Sequence, residues 1–154
     1  MAEPRHIFTG NAPTPGAYSQ AILVDPLTHL LLFIAGQTGN DPSRNGEPVV
    51  DGGVGPQTTR VLNNMLGIVR AAGGNAGSFV AMDVFIKDGG NRIERESSRL
   101  AFDAAYRAFF AEYGITPVVP HNMPTRFQVW VPEVPWESEA TEIEIRGIAA
   151  IPRQ

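Results

Sequence analysis

Two segments in the C-terminal third of the chain carry side chains that could act on a small anion. The first is Pro124-Thr125-Arg126, where an arginine stands at the start of a predicted strand after a proline-containing loop. A guanidinium presented in this way offers a planar fork of donors that fits a carboxylate through two parallel hydrogen bonds. The alternative is a surface arginine paired with a glutamate, which contributes little to stability. Spacing alone leaves both interpretations of Arg126 open.

The second segment is Glu142-Ile143-Glu144-Ile145-Arg146, which alternates charged and apolar residues. Strand alternation puts the charged residues on one face and both isoleucines on the other. If the isoleucines meet the core, a second subunit lying over the charged face would partly desolvate a carboxylate there, that of Glu142 or Glu144. Desolvation raises the pKa of a carboxylate toward the range useful for a general base, whereas a nearby Arg126 would lower it. The alternative is a solvated polar face.

Other common chemistries find no support in the sequence. There is no cysteine, which excludes disulfides, thiolate nucleophiles and thiolate-held metals. The glycine pairs match no nucleotide-binding loop, and no serine stands in a nucleophile-elbow motif. The three histidines, His6, His29 and His121, lack the spacing of a metal pair. Nucleophilic and metal mechanisms therefore have little support, and we expect no metal site.

Length and charge narrow the class of protein further. The chain has 154 residues, enough for one domain over residues 1–154 and too few for two full domains. Its formal net charge of −4 argues against binding to nucleic acid. The N-terminus lacks the apolar core of a signal peptide, and no apolar run is long enough to cross a membrane. These features predict a soluble cytoplasmic protein without a membrane partner.

Hydrophobic periodicity predicts six strands and two helices. The first helix starts with Gly55-Pro56, which puts proline at the first helical position, and ends at Gly73-Gly74. The second helix covers 92–113, and its aromatic residues are expected to pack in the core. The predicted strands are 7–9, 20–24, 29–35, 78–87, 127–131 and 141–151.

This order predicts an α+β fold with a single mixed β-sheet and both helices packed on one face. The run 29–35, HLLLFIA, is almost continuously apolar, which is typical of a strand buried on both faces. The second face of the sheet must then contact something other than the helices. Water or another subunit could lie against it, and the apolar run favours a subunit.

Several motifs, taken together, resemble the Rid family, also called the YjgF family. The N-terminal motifs are Asn11-Ala12-Pro13, the segment 16–20 (GAYSQ) and Ala35-Gly36-Gln37, and the segment 57–74 resembles the first helix of the family. Further similar motifs are VFIKD at 84–88, AYRAFF at 105–110, PTR at 124–126, and IEI through GIA at 143–149. The resemblance covers nearly the whole chain in the family's order.

The resemblance implies a chorismate-mutase-like fold, a homotrimer, and active sites in clefts between subunits. It also implies hydrolysis of enamines and imines, such as 2-aminoacrylate and 2-iminobutyrate, to 2-keto acids and ammonia without a cofactor. By the matching motifs, Arg126 is implied to bind the substrate carboxylate and Glu144 to activate water. Tyr18 is implied to line the cleft, and the backbone of Gly36 to border the ligand.

Three departures from the family pattern concern substrate identity. Phe127 follows the implied carboxylate-binding arginine where the family commonly has serine. Asp103 aligns with a family asparagine on the second helix. The connection between Arg126 and Glu144 is longer than in compact members and contains Trp136. Phe127 and Asp103 are therefore further candidate site residues.

Three alternatives to this activity remain open at the level of sequence. The chain could be a non-catalytic trimer that binds keto acids or other carboxylates as a sensor or interaction protein. It could also be a deaminase for a different substrate in one particular pathway. RNA cleavage is an older description of some family members, and the acidic charge balance and the single lysine argue against it.

Overall fold

The order of elements along the chain is the predicted one. The computed structural model describes residues 3–13, 16–119, 121–134 and 139–154, so Trp136 lies outside the described residues. A single 3₁₀ turn, Ala76–Ser78, occupies the position where the fourth strand was predicted to begin. The strands are β1 (Arg5–Ile7), β2 (Ala21–Leu23), β3 (His29–Thr38), β4 (Phe79–Lys87), β5 (Thr125–Val131) and β6 (Ile143–Pro152), and the helices are α1 (Val54–Ala71) and α2 (Arg92–Glu112).

Four of the strands form one mixed sheet in the order β3-β6-β4-β5. Strands β4 and β5 run parallel, and the other two pairs run antiparallel. The parallel pair needs a long crossover connection, which α2 supplies. The predicted mixed sheet with two helices is confirmed, with one difference. The short strands β1 and β2 pair with each other as a separate two-stranded sheet instead of extending the main one.

The ends of α1 follow from residues with special backbone conformations. Gly53 precedes the helix with a φ of 77°, and Gly73 follows it with a φ of 90°. The N–H of Gly73 donates to the carbonyl of Arg70 at 3.0 Å. Pro56 is the third helical residue and not the first as predicted. Proline is tolerated there because N–H groups in the first turn have no partner within the helix.

Both helices cover the same face of the main sheet. On β6, Ile143 and Ile145 are fully buried in the core, as the alternation predicted. On α2, Phe102 and Tyr106 are also fully buried, which confirms the expected core role of the helix aromatics. Phe110 packs edge-on against Phe79 of β4, with 6.3 Å between ring centroids.

The other face of the sheet is left uncovered by the described part of the chain. Phe33 is 72% exposed and Leu31 is 51% exposed, although both lie in the middle of β3. Burial of β3 on both faces, as the sequence predicts, would therefore require a second chain. None of the helices in the described part of the chain is long and apolar enough to span a membrane.

Candidate active site

Arg126 lies on β5 with its side chain turned toward the helices. It pairs with Met82 of β4, and paired residues in neighbouring strands point to the same face. Met82 is 1% exposed and belongs to the core beneath the helices. The side chain of Arg126 is accordingly only 12% exposed. Arg126 is therefore not the surface arginine paired with a glutamate that was the alternative, since it is buried and its carboxylate partner is Asp103.

The guanidinium of Arg126 is surrounded by three aromatic rings and one carboxylate. Its Cζ lies 4.8 Å from the ring centroid of Tyr106, 5.1 Å from that of Phe102 and 5.6 Å from that of Tyr18. Its Nη1 contacts Oδ1 of Asp103 at 3.3 Å, which is its one side-chain hydrogen bond among the described residues. We call these five residues the arginine cluster. Cation–π contacts stabilise the guanidinium in this position, and most of its donors have no hydrogen-bond partner within the described ranges.

Tyr18 reaches this cluster through a contact made by its neighbour in sequence. The hydroxyl of Ser19 donates to the carbonyl of Met123 at 2.6 Å, and the Ser19 N–H donates to the carbonyl of Pro124 at 3.2 Å. Pro124 stands two residues before Arg126. The N-terminal loop is therefore attached directly to the start of β5, which places a ring on the guanidinium.

Asp103 is shared between two arginines. Its Oδ2 accepts a hydrogen bond of 2.6 Å from Nε of Arg107, one turn further along α2, while its Oδ1 faces Arg126. Partial burial acts to raise the pKa of Asp103, but the hydrogen bond from Arg107 and the charges of Arg107 and Arg126 outweigh it. The net pKa lies below the ordinary value. Asp103 is therefore ionised at neutral pH.

Glu144 lies in the central strand β6 on the face away from the helices. It pairs with Thr38 of β3 and with Phe85 of β4. Its carboxylate has no hydrogen-bond or ion-pair partner in the described ranges of the chain. Desolvation raises its pKa above the ordinary value. An unpartnered carboxylate with a raised pKa has the properties of a general base.

Gly36 lies against this carboxylate. The pairing between β3 and β6 is irregular between Ile34 and Gln37, and Gly36 falls within the irregular stretch. A Cβ atom added at Gly36 would overlap Oε1 of Glu144. Only glycine leaves room for the carboxylate in this position. Gly36 and Glu144 therefore form a second group, which we call the glutamate group.

The structure does not bring the arginine cluster and the glutamate group together within one chain. Arg126 faces the helices, whereas Glu144 faces the open side of the same sheet. Their backbones are about 14 Å apart, since two strand spacings of about 4.8 Å and three residues of about 3.3 Å separate them. Arg126 is therefore not near enough to lower the pKa of Glu144 within one chain, and desolvation raises that pKa.

Phe127 shares a face with Glu144 and not with Arg126. Consecutive strand residues point in opposite directions, and Phe127 pairs with Asp83 on the open side of the sheet. Its side chain is 53% exposed. Asp103, by contrast, enters the arginine cluster directly. Of these two candidates, only Asp103 touches the implied carboxylate-binding residue.

Sequence reasoning missed two residues of the arginine cluster. Phe102 and Tyr106 lie four residues apart on one helix face, and this spacing also fits ordinary core packing. Both rings are buried in the core, and both also contact the guanidinium of Arg126 at one end of the core. Across the described ranges, no three side chains of the metal-ligating types cluster together.

The chain is similar to known proteins both in sequence and in fold. The sequence model of the family described as Endoribonuclease L-PSP matches residues 9–151. A RutC family protein of Pyrococcus horikoshii is 45% identical over 83 residues, which cover 53% of this chain and 61% of the relative. The human 2-iminobutanoate/2-iminopropanoate deaminase is 41% identical over 85 residues, covering 54% of this chain and 58% of that enzyme.

The fold likeness extends over nearly the whole chain. The crystal structure of Escherichia coli TdcF with bound serine is 29% identical in sequence and superposes with a TM-score of 0.63. The superposition covers 97% of this chain and 99% of that one. The curated relatives, in contrast, align over only about three-fifths of their own length.

Proposed function

Because this chain belongs to the Endoribonuclease L-PSP family, also known as the YjgF or Rid family, we propose that it hydrolyses reactive imines. The proposed substrates resemble 2-aminoacrylate and 2-iminobutyrate, and the products are a 2-keto acid and ammonia. The observation that carries the proposal is the guanidinium of Arg126, which is held among three rings with most of its donors free. The deaminase names of partial relatives support the same reaction.

The substrate carboxylate is proposed to bind Arg126 through two parallel charge-assisted hydrogen bonds. That contact orients the neighbouring carbon of the C=N bond, and orientation of this kind lowers the barrier to attack. The serine bound to TdcF also carries a carboxylate beside its nitrogen, which is consistent with this ligand class.

Glu144 is proposed to act as the general base. It takes a proton from a water molecule whose oxygen forms a bond to the imine carbon, and this yields a carbinolamine. For a substrate that enters as the iminium, the proton on Glu144 then passes to the amino nitrogen and the C–N bond breaks as the C=O bond forms. The hydroxyl proton of the carbinolamine returns to Glu144 and from there to the departing ammonia, which leaves as ammonium. Proton transfer by a positioned carboxylate is worth roughly 10² to 10⁴ in rate.

The separation of Arg126 and Glu144 leads to a proposal about assembly. If both groups act on one substrate, they must come from two chains, with the open sheet face of one chain lying against the edge strand β5 of the next. The exposed apolar side chains on the open face suit such a contact, since Phe33 and Phe127 are 72% and 53% exposed. We therefore propose a homotrimer in which each site combines Arg126 of one chain with Glu144 of its neighbour.

A second candidate function is binding of keto acids without turnover. It is favoured by the same separation, because the arginine cluster is complete without Glu144. Under this alternative, the protein would be a sensor or an interaction protein.

An assay of product release separates the two candidates. Fresh 2-iminobutyrate is generated by an amino-acid oxidase acting on 2-aminobutyrate, and 2-oxobutanoate and ammonia are measured together. The proposed function requires both products to form faster than by spontaneous hydrolysis, and Arg126→Ala to remove the difference. Binding of 2-oxobutanoate without any acceleration would establish the sensor alternative instead.

A further inference from the structure

Asp103 occupies an unusual place between two guanidiniums. It contacts Arg107 through Oδ2 at 2.6 Å and Arg126 through Oδ1 at 3.3 Å. The first contact is short and strong, whereas the second is long and involves one oxygen only. Asp103 is therefore held in place mainly by Arg107, while it presents a negative charge beside the arginine that is proposed to bind carboxylates.

Other ion pairs on and beside α2 have a different geometry. Arg95 contacts Asp88 with two nitrogens, each at 2.7 Å, and Arg99 contacts Glu96 at 3.0 and 2.6 Å. Both of these pairs are bidentate, so both oxygens of each carboxylate accept a hydrogen bond from the arginine. The pair between Arg126 and Asp103 has a single long hydrogen bond. The guanidinium therefore keeps donors for a ligand, and the carboxylate keeps acceptor positions for one.

The burial of the pair increases the effect of its charges. The side chain of Asp103 is 21% exposed and that of Arg126 is 12% exposed. Charges in such a position are screened less than charges in water. A ligand that reaches Arg126 therefore meets attraction from the guanidinium and also feels the carboxylate of Asp103.

We propose that Asp103 makes the Arg126 site selective for ligands that carry a positively charged nitrogen beside their carboxylate. This inference rests on the proposed function, in which Arg126 binds the substrate carboxylate. The ligand carboxylate takes the free donors of Arg126, and the cationic nitrogen lies toward Asp103. A ligand with a carboxylate alone still bonds to Arg126, but its charge is repelled by Asp103 and it carries no cation to offset that repulsion.

This selectivity suits the chemistry of the proposed reaction. A protonated 2-imino acid carries an iminium cation next to its carboxylate, whereas the 2-keto acid product is an anion without a cation. Asp103 therefore favours the substrate over the product. Release of the product is promoted by the same charge that helps to bind the substrate.

The test compares two ligands of the same carbon skeleton. L-2-Aminobutyrate is a stable zwitterion and 2-oxobutanoate is the corresponding anion, and both are titrated calorimetrically at pH 7 into the native assembly. Asp103→Asn should bind 2-oxobutanoate more tightly and L-2-aminobutyrate more weakly. The ratio of the two dissociation constants is expected to change at least tenfold. A merely structural role would move both constants in the same direction, and this result would overturn the assignment.

One further variant and two controls keep the test informative if Asp103→Asn is poorly folded. Arg107→Gln removes the stronger partner of Asp103 and should increase the preference for L-2-aminobutyrate, which is the opposite change. Arg95→Gln removes one positive charge from the same helix and should leave the ratio unchanged. Asp88→Asn is the matched acidic control, because Asp88 pairs with Arg95 at 2.7 Å and not with a residue of the arginine cluster.

The outcomes separate this inference from the proposed reaction. A shifted ratio without acceleration of imine hydrolysis would overturn the reaction and leave the role of Asp103 intact. Acceleration of hydrolysis with an unchanged ratio in both Asp103→Asn and Arg107→Gln would overturn the role of Asp103 alone. Absence of binding of either ligand to the wild-type protein would overturn both.

Discussion

Arg126 on β5 and Glu144 on β6 point to opposite faces of the same four-stranded sheet. The pairing Arg126–Met82 directs the arginine toward the helices, and the pairing Glu144–Phe85 directs the glutamate away from them. No rotamer change brings the two groups to one small substrate in a single chain, because the sheet stands between them. The proposed reaction therefore depends on assembly.

Mixing two inactive variants tests this dependence directly. Arg126→Ala and Glu144→Gln are each expected to lose most activity, since each removes one half of the site. When the two are unfolded and refolded together, random assembly gives about one site in four with both groups intact. About a quarter of wild-type activity should then return, measured as release of 2-oxobutanoate. If both groups acted from a single chain, no mixture would regain activity.

A charge placed on the open sheet face should prevent assembly. Phe33→Glu puts a carboxylate in the middle of β3, where the wild-type side chain is 72% exposed in the single chain. The chain should stay folded, as seen by circular dichroism, but become monomeric by light scattering and lose activity. Ile93→Glu is the control, because Ile93 is 82% exposed on α2, away from that face. An active, trimeric Phe33→Glu protein would contradict the proposed interface.

Glu144→Gln should lower the rate of the reaction and change its pH dependence, because it removes the proposed general base. The base must be ionised, and its raised pKa places the acidic limb of the kcat/KM profile above the ordinary glutamate value of 4.5. The variant should lose roughly 10² to 10⁴ in kcat together with that limb. A profile of wild-type shape with reduced amplitude would assign the base to another group.

The same raised pKa predicts the sign of a stability effect. A carboxyl whose pKa is raised in the folded state favours folding below its unfolded pKa, and this contribution is lost as the pH rises through the folded pKa. At pH 7, Glu144→Gln should therefore be at least as stable as the wild type, as measured by thermal unfolding. Its advantage should shrink as the pH falls toward the unfolded value. A variant clearly less stable at pH 7 would show that the ionised carboxylate has a stabilising partner.

Gly36→Ala should damage activity more than stability. The new methyl group overlaps the carboxylate of Glu144, which must move to accommodate it. We expect at least a tenfold loss of kcat, since small displacements of a catalytic group are costly, and little change in the melting temperature. Gly67→Ala is the matched control, because a Cβ at Gly67 meets nothing within 4 Å. Unchanged kcat in Gly36→Ala would separate Gly36 from the function of Glu144.

Tyr106→Phe tests whether the hydroxyl of Tyr106 contributes to the stability of the protein. The hydroxyl of Tyr106 is buried without a hydrogen-bond partner in the described part of the chain, and burial raises its pKa. Removing it should leave the unfolding free energy unchanged or increased, and the ring still faces Arg126. Tyr106→Ala should cost about 3–5 kcal/mol by urea unfolding. A large loss in Tyr106→Phe would reveal a partner for the hydroxyl.

The elements of this fold could be predicted from local patterns. Glycines and prolines marked the helix ends, and alternation along β6 correctly separated Ile143 and Ile145 from Glu144. Such patterns suffice because each depends on neighbours within a few residues. Pairing between distant strands is different, which is why the separate sheet of β1 and β2 was missed.

By itself, the sequence determined the family, the order of elements and the face on which Glu144 lies, because these follow from motifs and from strand alternation. Only the tertiary structure decided the environment of Arg126. Tyr18, Asp103 and Tyr106 come from distant parts of the chain, and their approach depends on strand register and on how α2 crosses the sheet. Register is fixed by the packing of the whole core, so one residue's local sequence could not reveal that Arg126 and Glu144 face opposite ways.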